Sequence, residues 1–291
     1  MGKRQFLEIA VRYALRIAAS TSILIVVLIF LFLFKEAFPF IHKPGLGALL
    51  GSSWAPTSMQ EVEFGIYPLV VGSLSVTVLA MLFAIPFGIC GAVYIAEVAE
   101  SWEREILKPF VELIAAIPSV VLGFFGVVVL GPIVMKLFHL DTGKTALTGA
   151  LLLAFMAIPT IITISEDAIR SVPMAYKEAS MALGASRFQT MWKVTVPAAM
   201  SGIIASIMLG MGRVIGETMA VLMVTGNAPV ITLSPTSRVR TMTATIAGEL
   251  GEVVYGSTHY QALFWIGVVL LLATFMLNLV AQRVLKTYRR P

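Results

Sequence analysis

Long uncharged apolar runs alternate with short charged stretches along the chain. A helix needs about 20 apolar residues to cross roughly 30 Å of hydrocarbon. By that measure six runs qualify as spans, at residues 17–38, 66–95, 109–135, 145–164, 198–224 and 261–281. The first, third and fifth carry charge (Lys35 with Glu36, Glu112, and Arg213 with Glu217), whereas the second, fourth and sixth carry none. The first run is too long for a signal-peptide core and no small-residue cleavage site follows it, so it is expected to remain as a membrane helix. The pattern predicts an all-α polytopic membrane protein: a short N-terminal segment, 1–16, followed by one transmembrane domain over 17–291. None of the connecting segments is large enough to bury a core of its own.

Composition narrows the class further. Of 291 residues, 58% are apolar and only 13% charged, with a mean hydropathy of +0.92. Soluble domains carry about 25% charged residues, so a free-standing cytosolic enzyme is excluded. The single Cys90 excludes an intramolecular disulfide and a multi-cysteine metal site. His42, His139 and His259 lack any metal-ligand spacing, so no metal site is expected. No nucleophile–base constellation is visible, and no G-x-x-x-x-G-K-[ST] phosphate loop occurs. The chain therefore needs another protein if ATP is to drive it.

A net charge of +5 would suggest nucleic acid in a soluble protein, but here the placement of the charges matters more. Six crossings leave both termini on one side. That side holds Lys3, Arg4, Arg12, Arg16, Arg104, Lys108, Arg170, Lys177, Arg187, Lys193, Arg283, Lys286, Arg289 and Arg290. The other side holds Lys35, Lys43, Lys136, Lys144, Arg238 and Arg240. The positive-inside rule predicts cytoplasmic termini.

Prolines and glycines qualify two spans. The second is long and contains Pro68 and Pro86, so a kink or an interfacial lead-in from Phe64-Gly65 is expected. In the third, Pro118, Gly123, Gly126, Gly131 and Pro132 predict close helix contacts or a break. Glu112 is read as an N-terminal helix charge at the interface.

The segment 165–197 falls on the cytoplasmic side. Pro173 suits the start of a helix, Tyr176 to Leu183 are good helix formers, and Gly184 can supply a left-handed cap. A second helix fits Ser186 to Val194, with Ser186 as its cap and Pro197 beyond its end. Two short helices at a sharp angle result, with Met181, Leu183, Phe188 and Trp192 available for docking. Glu178-Ala179-Ser180, three residues, Gly184, nine residues and Val194-Thr195-Val196-Pro197 together resemble the EAA loop of ABC importer permeases. The resemblance implies that Glu178, Ala179, Ser180 and Gly184 belong to a coupling helix that seats in a groove on an ATPase subunit.

The fifth span contains Gly212-Arg213-Val214-Ile215-Gly216-Glu217-Thr218. In a continuous helix Arg213 and Glu217 share a face and are close enough to pair. A charge at the bilayer centre costs about 2.5–3.5 kcal/mol, so such residues face a pathway or a partner. From the residues alone, a pair that only fixes helix packing remains equally open. Gly212 and Gly216 form a small-xxx-small pair that admits a neighbouring helix. The arginine's planar fork suits the oxygens of a tetrahedral oxyanion.

This run resembles the PstC-type permeases of phosphate ABC importers when taken with Gly65-Ile66-Tyr67-Pro68-Leu69, Ile117-Pro118-Ser119-Val120, Gly226-Asn227 and Thr241 to Ala247 followed by Glu249 and Glu252. The resemblance implies a MetI-like permease fold in a bacterial or archaeal inner membrane. It assigns Arg213 and Glu217 to the phosphate pathway, with Thr218 and Ser119 beside them. It also implies a second homologous permease of PstA type, two ATPases of PstB type that bind ATP and magnesium, and an external PstS-type phosphate-binding protein. No cofactor is expected on this chain. The outer segments 39–65 and 225–260 would face the binding protein. Rival readings are the same architecture importing sulfate, molybdate or phosphonate, a self-sufficient secondary transporter or channel, and a non-transporting scaffold. No internal inverted repeat supports the transporter rival.

Overall fold

The computed structural model describes residues 3–288, with side chains from 8 to 286. Arg289, Arg290 and the first two residues of the 1–16 segment lie outside the described residues. The chain opens with α1, Lys3–Ala37, which exposes apolar side chains around its whole circumference and packs on the last helix, α13, Thr258–Tyr288. Such a helix is stable only where lipid replaces water. Between α1 and the next span, β1 (Trp54–Ala55) pairs antiparallel with β2 (Glu63–Phe64). Phe40, Trp54, Phe64, Leu69, Met242 and Ile266 close a small apolar cluster at this end.

The second span is α2, Tyr67–Val93, extended by a π-helical turn over Tyr94–Val98. Pro68 sits in its first turn, where no backbone hydrogen bond is lost, and Pro86 lies inside the helix. The third expected span is divided. Residues 101–115 form α3, Ser101–Ala115, an amphipathic helix with no buried residue. The membrane-spanning part begins after Pro118 as α4, Ser119–Phe125, and continues through a π turn into α5, Gly131–Leu137. Glu112 thus lies in the last turns of α3 and not at the start of a span, because Pro118 cannot continue the helix preceding it.

The fourth span is α6, Ala146–Arg170, capped by Thr145, whose side chain accepts from the Thr148 amide. It runs six residues past the expected end, so the connecting segment starts at Ser171 and not at 165. There α7, Met174–Ala182, is followed by α8, Arg187–Thr190, a π turn, and α9, Val196–Ala198. The fifth span, α10, Met200–Gly216, departs from the preceding helix at 66°. It then breaks, and α11, Met219–Val224, completes the crossing. A short helix, α12, Met242–Glu249, precedes α13.

The core is α6 held between α2 and α10. Ile161 is completely buried, and a methyl group at Gly88 of α2 or Gly210 of α10 would come within 2.7 Å or 2.9 Å of it. Both neighbours are glycine because the three backbones approach so closely. Among the described residues five helices are long and apolar enough to cross a membrane, or six if the bent pair Arg187–Ala198 and Met200–Gly216 counts as one crossing.

Candidate functional site

Arg213 stands one turn before the end of α10. Its Nη1 donates to Thr160 Oγ1 of α6 at 3.3 Å, and its Nη2 donates to the Ala115 carbonyl, near the C-terminus of α3, at 3.3 Å. Both partners are neutral, and the side chain is only partly buried. The expected pairing with Glu217 is absent. Glu217 leaves helical geometry (φ −68°, ψ 133°), which rotates its side chain away from the preceding turn. Its Oε1 accepts from the Ala220 amide at 3.3 Å, capping α11, and its carbonyl accepts from Thr243 Oγ1 at 2.9 Å. Thr218 bridges the same break, donating to the Gly216 carbonyl at 3.1 Å.

Ser119 opens α4 directly after Pro118 and is partly exposed. One turn on, Gly123 packs against Ala220 and Met223 of α11. The broken third and fifth spans therefore meet beyond their breaks, while Arg213 reaches back to the helix end preceding the first break. A small cavity of about 10 Å³, lined by Ser73, Thr77, Glu217, Thr241 and Thr243, has room for about one water molecule. A methyl group at Gly212 or Gly216 would meet no atom of the described residues within 4 Å, although Gly212 borders a small cavity shared with Thr274 and Leu277 of α13.

The connecting segment matches its expected form closely. Gly184 adopts φ +86°, a left-handed position that a side chain would strain. Ser186 caps α8 and forms a reciprocal pair with Gln189, at 3.2 Å and 2.9 Å. Ser180 Oγ lies 3.0 Å from the buried Thr190 hydroxyl, which locks α7 to α8. Glu178, Ala179 and Gly184 are exposed at the tip. Leu183 is 90% and Phe188 69% exposed, an apolar surface left uncovered among the described residues. Behind it, a cavity of about 560 Å³ includes Glu97, Met174, Lys177, Met181 and Phe188 in its walls.

Two features escaped the sequence reading. One is Thr160, an ordinary hydroxyl inside an apolar run, with no pattern to mark it. The other is Glu166, assigned to the loop but fully buried in α6, with 1% of its side chain exposed. Lys108 Nζ of α3 donates to it at 2.7 Å and Arg170 Nη1 at 3.2 Å, while Asp167 accepts from Lys108 at 2.9 Å. These bonds to Glu166 and then Asp167 raise the Lys108 ammonium above its ordinary pKa. The Glu166–Arg170 spacing of four was the available signal, since it belongs to a continuing helix.

At the opposite end, Glu249 binds Arg240 Nη1 at 2.7 Å, His259 Nε2 at 2.8 Å and Trp54 Nε1 at 3.1 Å. The group borders a cavity of about 600 Å³ and joins β1, α12 and α13. It fixes the segments on this side to the spans.

Residues 84–288 match the family described as "Binding-protein-dependent transport system inner membrane component". The chain is 41% identical over 234 residues to the probable ABC transporter permease protein YqgH of Bacillus subtilis, covering 80% of this chain and 75% of that one. It is 31% identical over 288 residues to the phosphate transport system permease protein PstC of Mesorhizobium japonicum, covering 91% and 87%. A solved bacterial ABC transporter involved in importing the acidic polysaccharide alginate superimposes with a TM-score of 0.65 at 16% identity, covering 99% of this chain and all of that one. The last likeness concerns the fold alone.

Proposed function

Because the chain belongs to the family of binding-protein-dependent transport system inner membrane components, we propose that it forms half of the translocation pathway for inorganic phosphate in an ATP-driven importer. Membership makes it a membrane transport subunit and not an enzyme. ATP hydrolysis belongs to separate ATPase subunits, and a binding protein delivers the substrate. On this reading those partners are of PstB and PstS type, and a homologous PstA-type permease supplies the other half. The open face at Gly212 and Gly216 suits close approach by that second permease. Both termini face the cytoplasm, as the distribution of Lys and Arg favours.

One observation carries the proposal: Arg213 is a membrane-embedded cation with neutral partners and long hydrogen bonds. Such a group is held in place but not neutralised. A doubly ionised oxyanion offers it shorter, charge-assisted bonds than a hydroxyl and a carbonyl do. Glu217 and Thr218, at the adjacent break, place a carboxylate and a hydroxyl beside the route. Ser119 stands at the corresponding break in the third span. Nucleotide-driven closure of the ATPases moves Glu178 to Gly184, and the rigid α7–α8 corner transmits that displacement to α6 and α10.

The test is uptake of radiolabelled phosphate into vesicles holding this chain with its partner subunits and binding protein. ATP-dependent accumulation is expected, with Arg213→Ala retaining assembly but losing uptake. Accumulation of sulfate or molybdate in place of phosphate would reassign the substrate. Uptake by this chain alone without nucleotide would overturn the reading.

A further inference from the structure

The amphipathic helix α3 has no fully buried residue and rests on α6 by a half-buried face that includes Leu107, Val111 and Ile114. Polar links from three other elements also hold it. Near its N-terminus, Arg104 Nε donates to the Ile95 carbonyl at 2.9 Å and Nη2 to the Ala96 carbonyl at 3.2 Å, gripping the π turn that ends α2. In its middle, Lys108 meets Glu166 and Asp167 of α6. At its far end, the Ala115 carbonyl accepts from Arg213. The π turn gripped by Arg104 is also held from α7: Lys177 forms an ion pair with Glu97, with 17% and 15% of the side chains exposed. Lys177 directly precedes Glu178 of the coupling motif.

The links thus run from the coupling helix to Arg213 with α3 as their common member. A 15-residue helix is about 22 Å long and stiff along its axis, long enough to connect the two sites. We propose that α3 is the lever that positions Arg213: the coupling segment moves its N-terminal half through Glu97 and Arg104, it pivots where Lys108 meets Glu166, and its last turn holds or frees the guanidinium. When Ala115 withdraws, Arg213 loses one of its two partners and turns to the anion. This makes Glu97 and Arg104 positioning residues. It deepens the reading of Arg213 as a pathway group and rests on it.

The experiment uses the complete assembly in vesicles and measures anion imported per ATP hydrolysed in Glu97→Gln and Arg104→Gln. Both sites lie away from the pathway and from the exposed tip that the ATPase would grip. The expected result is normal subunit yield and ATP turnover with the transport-to-ATP ratio lowered about five-fold or more, the low end of measured couplings between sites. If Glu97→Gln does not assemble, Arg104→Gln decides alone, since it leaves the Lys177 ion pair intact. An unchanged ratio in Arg104→Gln overturns the proposal, as does a parallel fall in transport and hydrolysis. The ratio is read with whichever oxyanion the unaltered assembly imports, so failure of the phosphate assignment is distinguishable from failure of the lever.

Discussion

Two cationic sites lie on either side of α3 and differ in nearly every respect. At Glu166, a fully buried carboxylate is met by Lys108 at 2.7 Å and Arg170 at 3.2 Å, so the charges within the protein compensate one another. At Arg213, the guanidinium meets a hydroxyl and a carbonyl at 3.3 Å and no carboxylate within ion-pairing distance among the described residues. The first arrangement is complete without any other molecule. The second leaves a positive charge with neutral partners alone, the state that the proposed anion pathway requires. A membrane charge is therefore judged by its partners and not by its depth, and the same α3 helix serves as pin for one site and as removable support for the other.

The contrast is broken most strongly by Glu166→Ala. It leaves two cations without their shared carboxylate and should cost about 3 kcal/mol of stability, the low end for a broken buried pair because Lys108 and Arg170 still reach water. The thermal midpoint of the detergent-solubilised assembly should fall, and residual transport should track the folded fraction. Arg213→Lys gives the converse result. Stability should hardly change, while phosphate uptake falls roughly 10-fold or more, because an ammonium cannot supply the bidentate fork. Equal losses of stability at both positions would erase the distinction.

Thr160→Val has a smaller expected effect and sharpens the role of the support. If Thr160 only parks Arg213, its removal should raise the affinity of the solubilised assembly for phosphate by a few-fold, since a hydrogen bond to a charged group is worth about 1.5–3 kcal/mol and part of it is recovered from water. A lowered affinity would make Thr160 an aiming residue. The least effect belongs to pH. Lys108 has a raised pKa in the folded protein, so its contribution to stability is fully present below the ordinary lysine value of 10.5 and is lost as pH rises through the higher folded value. The thermal midpoint should therefore drop in that alkaline window, and Lys108→Met should remove this component of the drop.

The corner between α7 and α8 was legible because its signals are local. Gly184 is needed for a left-handed backbone, Ser186 and Gln189 satisfy each other's helix end, and Pro173 and Pro197 bound the segment. Each acts within a few residues, so spacing alone identifies it. Arg213 was legible for a similar reason, as a charge in an apolar run is conspicuous wherever its partner lies. The Arg213–Glu217 pairing failed because it assumed an unbroken helix. A break between Gly216 and Met219 is held by Thr218 and by the distant Thr243, and no short-range pattern reports the second of these.

The sequence by itself marked the apolar runs, the corner of short helices around Gly184 and the charged residues, because hydropathy, helix caps and turns are properties of neighbours along the chain. Only the tertiary structure decided that Glu166 is buried and that Arg213 rests on Thr160 and Ala115 and not on Glu217. These outcomes depend on contacts 53 to 98 positions apart in the chain, where close backbone approach and the compensation of buried charge choose among partners that the sequence leaves equivalent.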